Sequence, residues 1–261
     1  MPQCKTKAIV FDLDDTIGHF EQLSLFLHGL ERAIIGFKEH GKYFSKIMNL
    51  FPEFIRPGII DSLKLLKKRK KRDKCLKVII YTNNNGSRAW TLGIKNYLEQ
   101  KIKGKIFDRI ITKYDRHSVI NCRTTHNKTH KDLMKCTNLP KQTQVLFLDD
   151  QYHQLMNHKN IQYLQLAPYN FRLPADTMIK RFLQSSIGKS LPKEKHAQFS
   201  KFIKQVLLSE KDYIVRKSMI SKKDKKEKKR LIKEIKKFTT MHKHTRKFHK
   251  KKGKQTRRNY F

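Results

Sequence analysis

Five short apolar runs punctuate the chain: KAIVFDL (7–13), KVIIYT (77–82), FDRIITK (107–113), QVLFLDD (144–150) and IQYLQL (161–166). Nearly continuous apolar stretches of this length predict strands buried on both faces, as in a parallel sheet. Between them, apolar positions recur at helical spacing. Leu23, Phe26, Leu27, Leu30, Ile34 and Phe37 mark an amphipathic helix, and a second apolar cluster runs from Tyr43 to Phe51 and stops at Pro52. Ile59, Leu63 and Leu66 give the inward face of a helix opened by the Pro-Gly turn of RPGIIDSLKLLKKRKK, residues 88–101 read as a helix, and THKDLMKC starts another. Strands alternating with helices predict an α/β class, a Rossmann-like three-layer fold with a parallel sheet and helices on both faces.

In such folds ligands lie beyond the carboxyl ends of the strands. The first strand ends there on Asp12, Asp14 and Asp15, the second on Thr82 and an NNNG turn, and the fourth on Asp149 and Asp150. Like charges clustered at strand ends repel unless a cation sits among them, so the pattern asks for a divalent ion and phosphate chemistry.

Composition adds a second theme. The 261 residues carry a formal net charge of +38, which points to a polyanionic partner such as DNA or RNA. Residues 222–261 hold 19 Lys or Arg against three acidic residues, with a thin apolar stripe of Leu231, Ile235 and Phe238. That stripe is too little to fold alone, so a basic, disordered tail is expected there, and the remaining 221 residues are basic too. No run reaches the eighteen or so apolar residues of a membrane span, and the N-terminus lacks a secretory pattern, so an intracellular setting is expected, cytoplasmic or nuclear, with a virion as the further alternative. Cys4, Cys75, Cys122 and Cys136 lack CxxC spacing, which makes reduced thiols the expectation. Cys122, His126, His130 and Cys136 can be drawn as a zinc set, but their spacing matches no common template. His242 and His244 read as solvated tail residues.

The motifs in chain order, DLDDT at 12–16, Thr82 after VIIY, a lysine near the next helix, and Asp149-Asp150 after VLFL, resemble the haloacid dehalogenase superfamily of aspartate-nucleophile phosphotransferases over roughly residues 7–170. The resemblance implies Asp12 as nucleophile, forming an aspartyl-phosphate, and Asp14 as general acid and base. It implies Mg²⁺ held by Asp12, the main-chain carbonyl of Asp14, and the late pair, with Asp150 the direct ligand and Asp149 its support. Thr82 and the amide of Asn83 would bind the phosphoryl group, and Lys131, with Lys135 as the alternative, would neutralise it. Asp15 and Thr16 would shape the turn and hydrogen-bond the nucleophile. The aspartate at position 14 implies hydrolysis of a phosphomonoester.

RPGIIDSLKLL, the KDL at 131–133 and VLFLDDQYHQLMNHKNIQYLQL resemble the branch containing the phosphatases of the RNA polymerase II C-terminal domain, whose members lack a large cap. An open site and a phosphoprotein substrate follow from that. KVIIYTNNNG also resembles polynucleotide 3′-phosphatases, so DNA or RNA ends are the second reading, and a catalytically silent nucleic-acid-binding protein is the third. The style would also fit proteins of large DNA viruses. The expected organisation is a phosphatase domain over 1–185 with a helical insert or small cap at 19–55, a helical extension over 186–221, and the tail over 222–261.

Overall fold

The computed structural model describes residues 5–38, 41–113, 122–209 and 219–240. Five strands, β1 (Lys7–Phe11), β2 (Leu76–Tyr81), β3 (Arg109–Ile111), β4 (Gln144–Asp149) and β5 (Ile161–Gln165), form one sheet in the order β3-β2-β1-β4-β5, every neighbouring pair parallel. The order reverses between β1 and β4, the two strands that end on aspartates. A crevice opens at such a switch point.

Alternate residues of each strand serve the two faces. Ile9, Phe11, Val78, Ile80, Leu146 and Leu148 join a large core with α1 (Glu21–Ala33), α2 (Phe44–Leu50), α3 (Ile59–Arg72), α4 (Arg88–Lys101), α6 (Ala175–Gln184) and α7 (His196–Leu208). Ala8, Val10, Ile79, Tyr81, Val145 and Phe147 form a smaller core with Leu133 and Cys136 of α5 (His130–Thr137) and with Met156. Helices therefore cover both faces, unequally. The first helix is shorter than its apolar pattern: Ile34 turns extended and Gly36 takes φ +78°, ending α1 before Phe37. The buried side chains of residues 19–55 belong to the large core, so this insert is a layer of the domain, and its start overhangs the carboxyl end of β1.

Residues 222–239, expected within a disordered tail, instead form a helix, α8 (Lys222–Thr239). Ser221 and Asp224 make a reciprocal capping box at its start. Its apolar stripe is thin, but Leu231 and Ile235 are fully buried in the large core, and Lys228 pairs with Asp61 of α3 at 2.7 Å. Lys7 Nζ donates to the Phe238 carbonyl at 2.8 Å, and the Ala167 amide donates to Glu227. A stripe too small to fold alone suffices once a core is present to receive it. Residues 241–261 lie outside the described residues, as do His242 and His244. Truncating Leu231 to Ala should destabilise the protein by about 2–4 kcal/mol in urea denaturation; a loss under about 0.5 kcal/mol would show that α8 is not docked.

The cysteines also depart from expectation. Cys122 and Cys136 are joined by a disulfide across a Cα–Cα distance of 5.1 Å, and Cys75 is disulfide-bonded as well. The segment before α5 folds back against that helix's last turn, a proximity that sequence spacing does not reveal. The bond consumes two members of the supposed zinc set, and a third, His130, stacks on His158 at 3.8 Å. The expectation of reduced thiols is thereby corrected for Cys75, Cys122 and Cys136. No helix among the described residues is long and apolar enough to cross a membrane.

Candidate active site

β1 and β4 run in register, Phe11 beside Leu148, and the Asp12 amide donates to the Leu148 carbonyl at 2.9 Å. The next step of the register sets Asp12 beside Asp149. By the strand alternation both point to the face covered by α5. Both are buried, 7% and 1% exposed, and with Asp150 their carboxylate oxygens lie within 4.8 Å of one another.

The cation that meets them is Lys128. Its Nζ donates to Asp12 Oδ1 at 2.5 Å and to Asp149 Oδ2 at 2.7 Å, and the residue is 2% exposed. The sequence reading had placed this role at Lys131 or Lys135, but Lys131 lies exposed in the first turn of α5 and Lys135 lies a turn further on. α5 starts at the carboxyl edge of the sheet, so the residue just before its N-cap reaches the strand ends. Thr129 is that cap: its hydroxyl accepts from the Asp132 amide at 2.9 Å, and the spacing Thr-x-x-Asp was a signal in the sequence for it.

The turn after β1 is tight. Ile17 and Gly18 amides return to the Leu13 carbonyl, Asp15 adopts φ 51°, and a Cβ at Gly18 would lie 2.3 Å from the Phe54 carbonyl oxygen. Glycine is therefore required there sterically. Arg56, in the RPG stretch, fixes the turn from beneath by donating to the Asp15, Thr16 and Ala167 carbonyls. The turn carries Asp14 back over the crevice, where Asn84 Nδ2 donates to its carboxylate at 2.7 Å. Thr16 Oγ1 donates to Asp150 at 3.1 Å, and Asp15 bonds His19 at 2.7 Å, so neither hydrogen-bonds Asp12 as expected.

Thr82 follows β2 with its hydroxyl accepting from the Asn84 amide at 2.9 Å. Arg123 braces this loop: its guanidinium donates to the Thr82 carbonyl, to Asn83 Oδ1 and to the Thr112 and His126 carbonyls, and it lies over the Tyr81 ring. Arg123, Arg56, His19 and His153 were not singled out in the sequence; arginines that bind carbonyls leave no periodic trace.

Burial, opposed by Lys128 and reinforced by Asp149, raises the Asp12 carboxyl to about 7. Burial likewise raises Asp14, and raises Asp150 with help from Asp149. Burial also pushes Asp149 upward, but the hydrogen bond from His153 and the charge of Lys128 outweigh it and hold Asp149 below the usual range. One lysine thus faces a triad of carboxylates, two of which resist ionising. An all-oxygen donor set with surplus negative charge suits a hard divalent cation.

These groups line a cleft of about 750 Å³ that brings together Asp12, Asp14, Thr82, Asn83, Asp149 and Asp150, while Lys131 lies outside it. Its walls add His19, Phe20, Glu21, Ser24 and Leu25 from the start of α1, and Gly86, Ser87 and Trp90 from the start of α4. The family of NLI interacting factor-like phosphatases matches residues 7–197. No curated protein and no solved structure matches the chain. The match covers the sheet, the aspartate-bearing strand ends and Lys128 alike, and the chain belongs to the NLI interacting factor-like phosphatases, phosphoric monoester hydrolases with a haloacid-dehalogenase-like fold.

Proposed function

We propose that the protein is a Mg²⁺-dependent phosphatase that works through an aspartyl-phosphate on Asp12 and acts on a phosphoprotein. The observation that carries the chemistry is Asp12 itself, a buried carboxylate at the switch point, touching a buried lysine and adjoining two further carboxylates. Asp12, Asp149 and Asp150 would hold the magnesium ion, with the Asp14 carbonyl. Bound there, the ion offsets the negative charge that otherwise repels a carboxylate from a phosphate ester.

Asp12 then attacks phosphorus, forming the Asp–O–P bond as the ester P–O bond breaks. Asp14, whose burial favours the protonated form, gives its proton to the departing oxygen. Afterwards Asp14 takes a proton from water, which attacks the aspartyl-phosphate, releases phosphate and restores Asp12. Lys128 and the Thr82 hydroxyl bind phosphoryl oxygens, and Arg123 keeps the Thr82 loop in place.

The preference for phosphoprotein over nucleic-acid ends rests on the cleft walls. Despite the chain's charge of +38, the described residues that line the cleft include Asp12, Asp14, Asp15, Glu21, Asp149 and Asp150 against one lysine and two histidines. A nucleic-acid end brings further phosphates, which such walls repel. A peptide brings one phosphate, and Phe20, Leu25 and Trp90 offer an apolar ledge beside it. The polyanion implied by the net charge is therefore read as a partner held outside the cleft.

The test is phosphate release, with Mg²⁺ and with EDTA, from p-nitrophenyl phosphate, a phosphoserine peptide and a 3′-phosphorylated DNA oligonucleotide. Mg²⁺-dependent release is expected from the first two, and at least about tenfold slower release from the third, as one charged contact of about 1.4 kcal/mol would produce. Faster turnover of the oligonucleotide would overturn the phosphoprotein reading. No release from any substrate would leave the silent binding protein.

A further inference from the structure

We infer that α3 and α8 together form a surface that grips the backbone of double-stranded nucleic acid, on a face of the protein separate from the phosphatase cleft. On α8, Lys222, Lys226, Lys229, Lys233 and Lys236 recur at intervals of 4, 3, 4 and 3, and all are exposed. This spacing puts them on one stripe of the helix. Leu231 and Ile235, on the opposite side, are buried. On α3, Lys64, Lys68 and Lys71 repeat the interval and are exposed, opposite buried Ile59, Leu63 and Leu66.

The two stripes are neighbours. Gly58, at the start of α3, lies against Lys228, and Phe238 reaches Lys7 at the start of β1, beside which β2 begins just after α3 ends. The helices therefore run in the same sense, side by side. Their acids are drawn inward or paired: Asp224 sits in the capping box, Glu227 accepts from Ala167 and Arg230, Glu234 meets Gln162, and Asp61 pairs with Lys228. None of the eight stripe lysines has an acidic partner among the described residues.

A solvated helix face ordinarily mixes signs, because like charges at i,i+4 each cost a few tenths of a kcal/mol. Two adjacent stripes of unrelieved positive charge fit a ligand that supplies the missing anions in a row. Duplex nucleic acid does so, with a charge about every 1.7 Å of its axis. The 18 residues of α8 span about 27 Å, the length of roughly eight base pairs. An anionic membrane would need apolar side chains interleaved with the lysines. Among the described residues, the exposed apolar side chains next to α8 in the chain, Met219 and Ile220, only precede its first turn. Lysine contacts to phosphate carry no sequence information, so the surface tethers the enzyme to nucleic acid without selecting a site.

This inference rests on the reading of a polyanionic partner and assigns it a place. The test is fluorescence anisotropy with a labelled 20-base-pair DNA duplex over a salt series, comparing the full chain with a variant carrying Lys226→Gln, Lys229→Gln, Lys233→Gln and Lys236→Gln. A second variant carries Lys64→Gln, Lys68→Gln and Lys71→Gln. Thermal melting checks that both fold. The expected result is at least tenfold weaker binding by each, a log K against log salt slope shallower by about 3.6 for the first, and unchanged p-nitrophenyl phosphate turnover. Variants that bind within twofold of the parent would overturn the surface while sparing the polyanion reading. A parent that binds no duplex at low salt, or that binds only phosphatidylserine vesicles when these are offered in parallel, would overturn the duplex-binding surface.

Discussion

Asp12→Asn should abolish phosphate release, a loss on the order of 10⁴-fold or more, while making the metal-free protein more stable at neutral pH. The amide keeps the shape of the carboxylate but cannot attack phosphorus. The gain in stability follows from the raised carboxyl: at about 7 in the fold against 3.8 in an unfolded chain, the folded state binds its proton more tightly. A raised acid contributes stability that is complete below the unfolded value and disappears as pH rises through the folded one. In EDTA, urea denaturation of parent and variant should therefore nearly coincide near pH 4 and diverge up to about pH 7. The difference beyond that is constant, on the order of a few kcal/mol at about 1.4 kcal/mol per pH unit. Activity within tenfold of the parent would remove Asp12 as nucleophile. Equal stability at pH 8 would show that its burial carries no electrostatic cost.

Lys128→Met should lower kcat/KM by about 10²–10³-fold, while Lys131→Met and Lys135→Met stay within about twofold. Methionine fills the volume but leaves Asp12 and Asp149 without the lysine they share. Removing one partner of a buried pair costs about 3–5 kcal/mol, so the metal-free variant should also melt earlier. Added Mg²⁺ should restore much of that melting temperature without restoring turnover, which separates lost phosphate binding from lost folding. A Lys131→Met variant as impaired as Lys128→Met would reverse the assignment.

The sheet was legible because each strand is an apolar run ending in polar chemistry, and the runs at 77–82 and 144–150 coincide with β2 and β4 to within one residue. The aspartates were legible for the same reason: a carboxylate at the end of a buried strand has nowhere else to point. Lys128 lies three positions before Lys131 and was missed because lysines abound there, and only the helix boundary, which the cap at Thr129 fixes, tells which of them faces the strand ends. The clamps made by Arg56 and Arg123 bind main-chain carbonyls brought together only by the fold, and no local pattern encodes that. Helix α8 was hidden because its thin apolar stripe was weighed as a helix alone, whereas the value of Leu231 and Ile235 depends on the core that receives them. The Cys122–Cys136 bond joins two ends of a loop whose path only the structure defines.

Lys128 ties together carboxylates 116 positions upstream and 21 downstream in the chain. Such contacts exist only after β1 and β4, far apart in the chain, have paired, the kind of non-local ordering that slows folding through loop-closure entropy. Catalytic competence is therefore among the last properties a refolding molecule acquires. If Asp12, Lys128 and Asp149 carry the reaction as proposed, a chain still emerging from the ribosome cannot hydrolyse phosphate until β4 has been made and has docked beside β1.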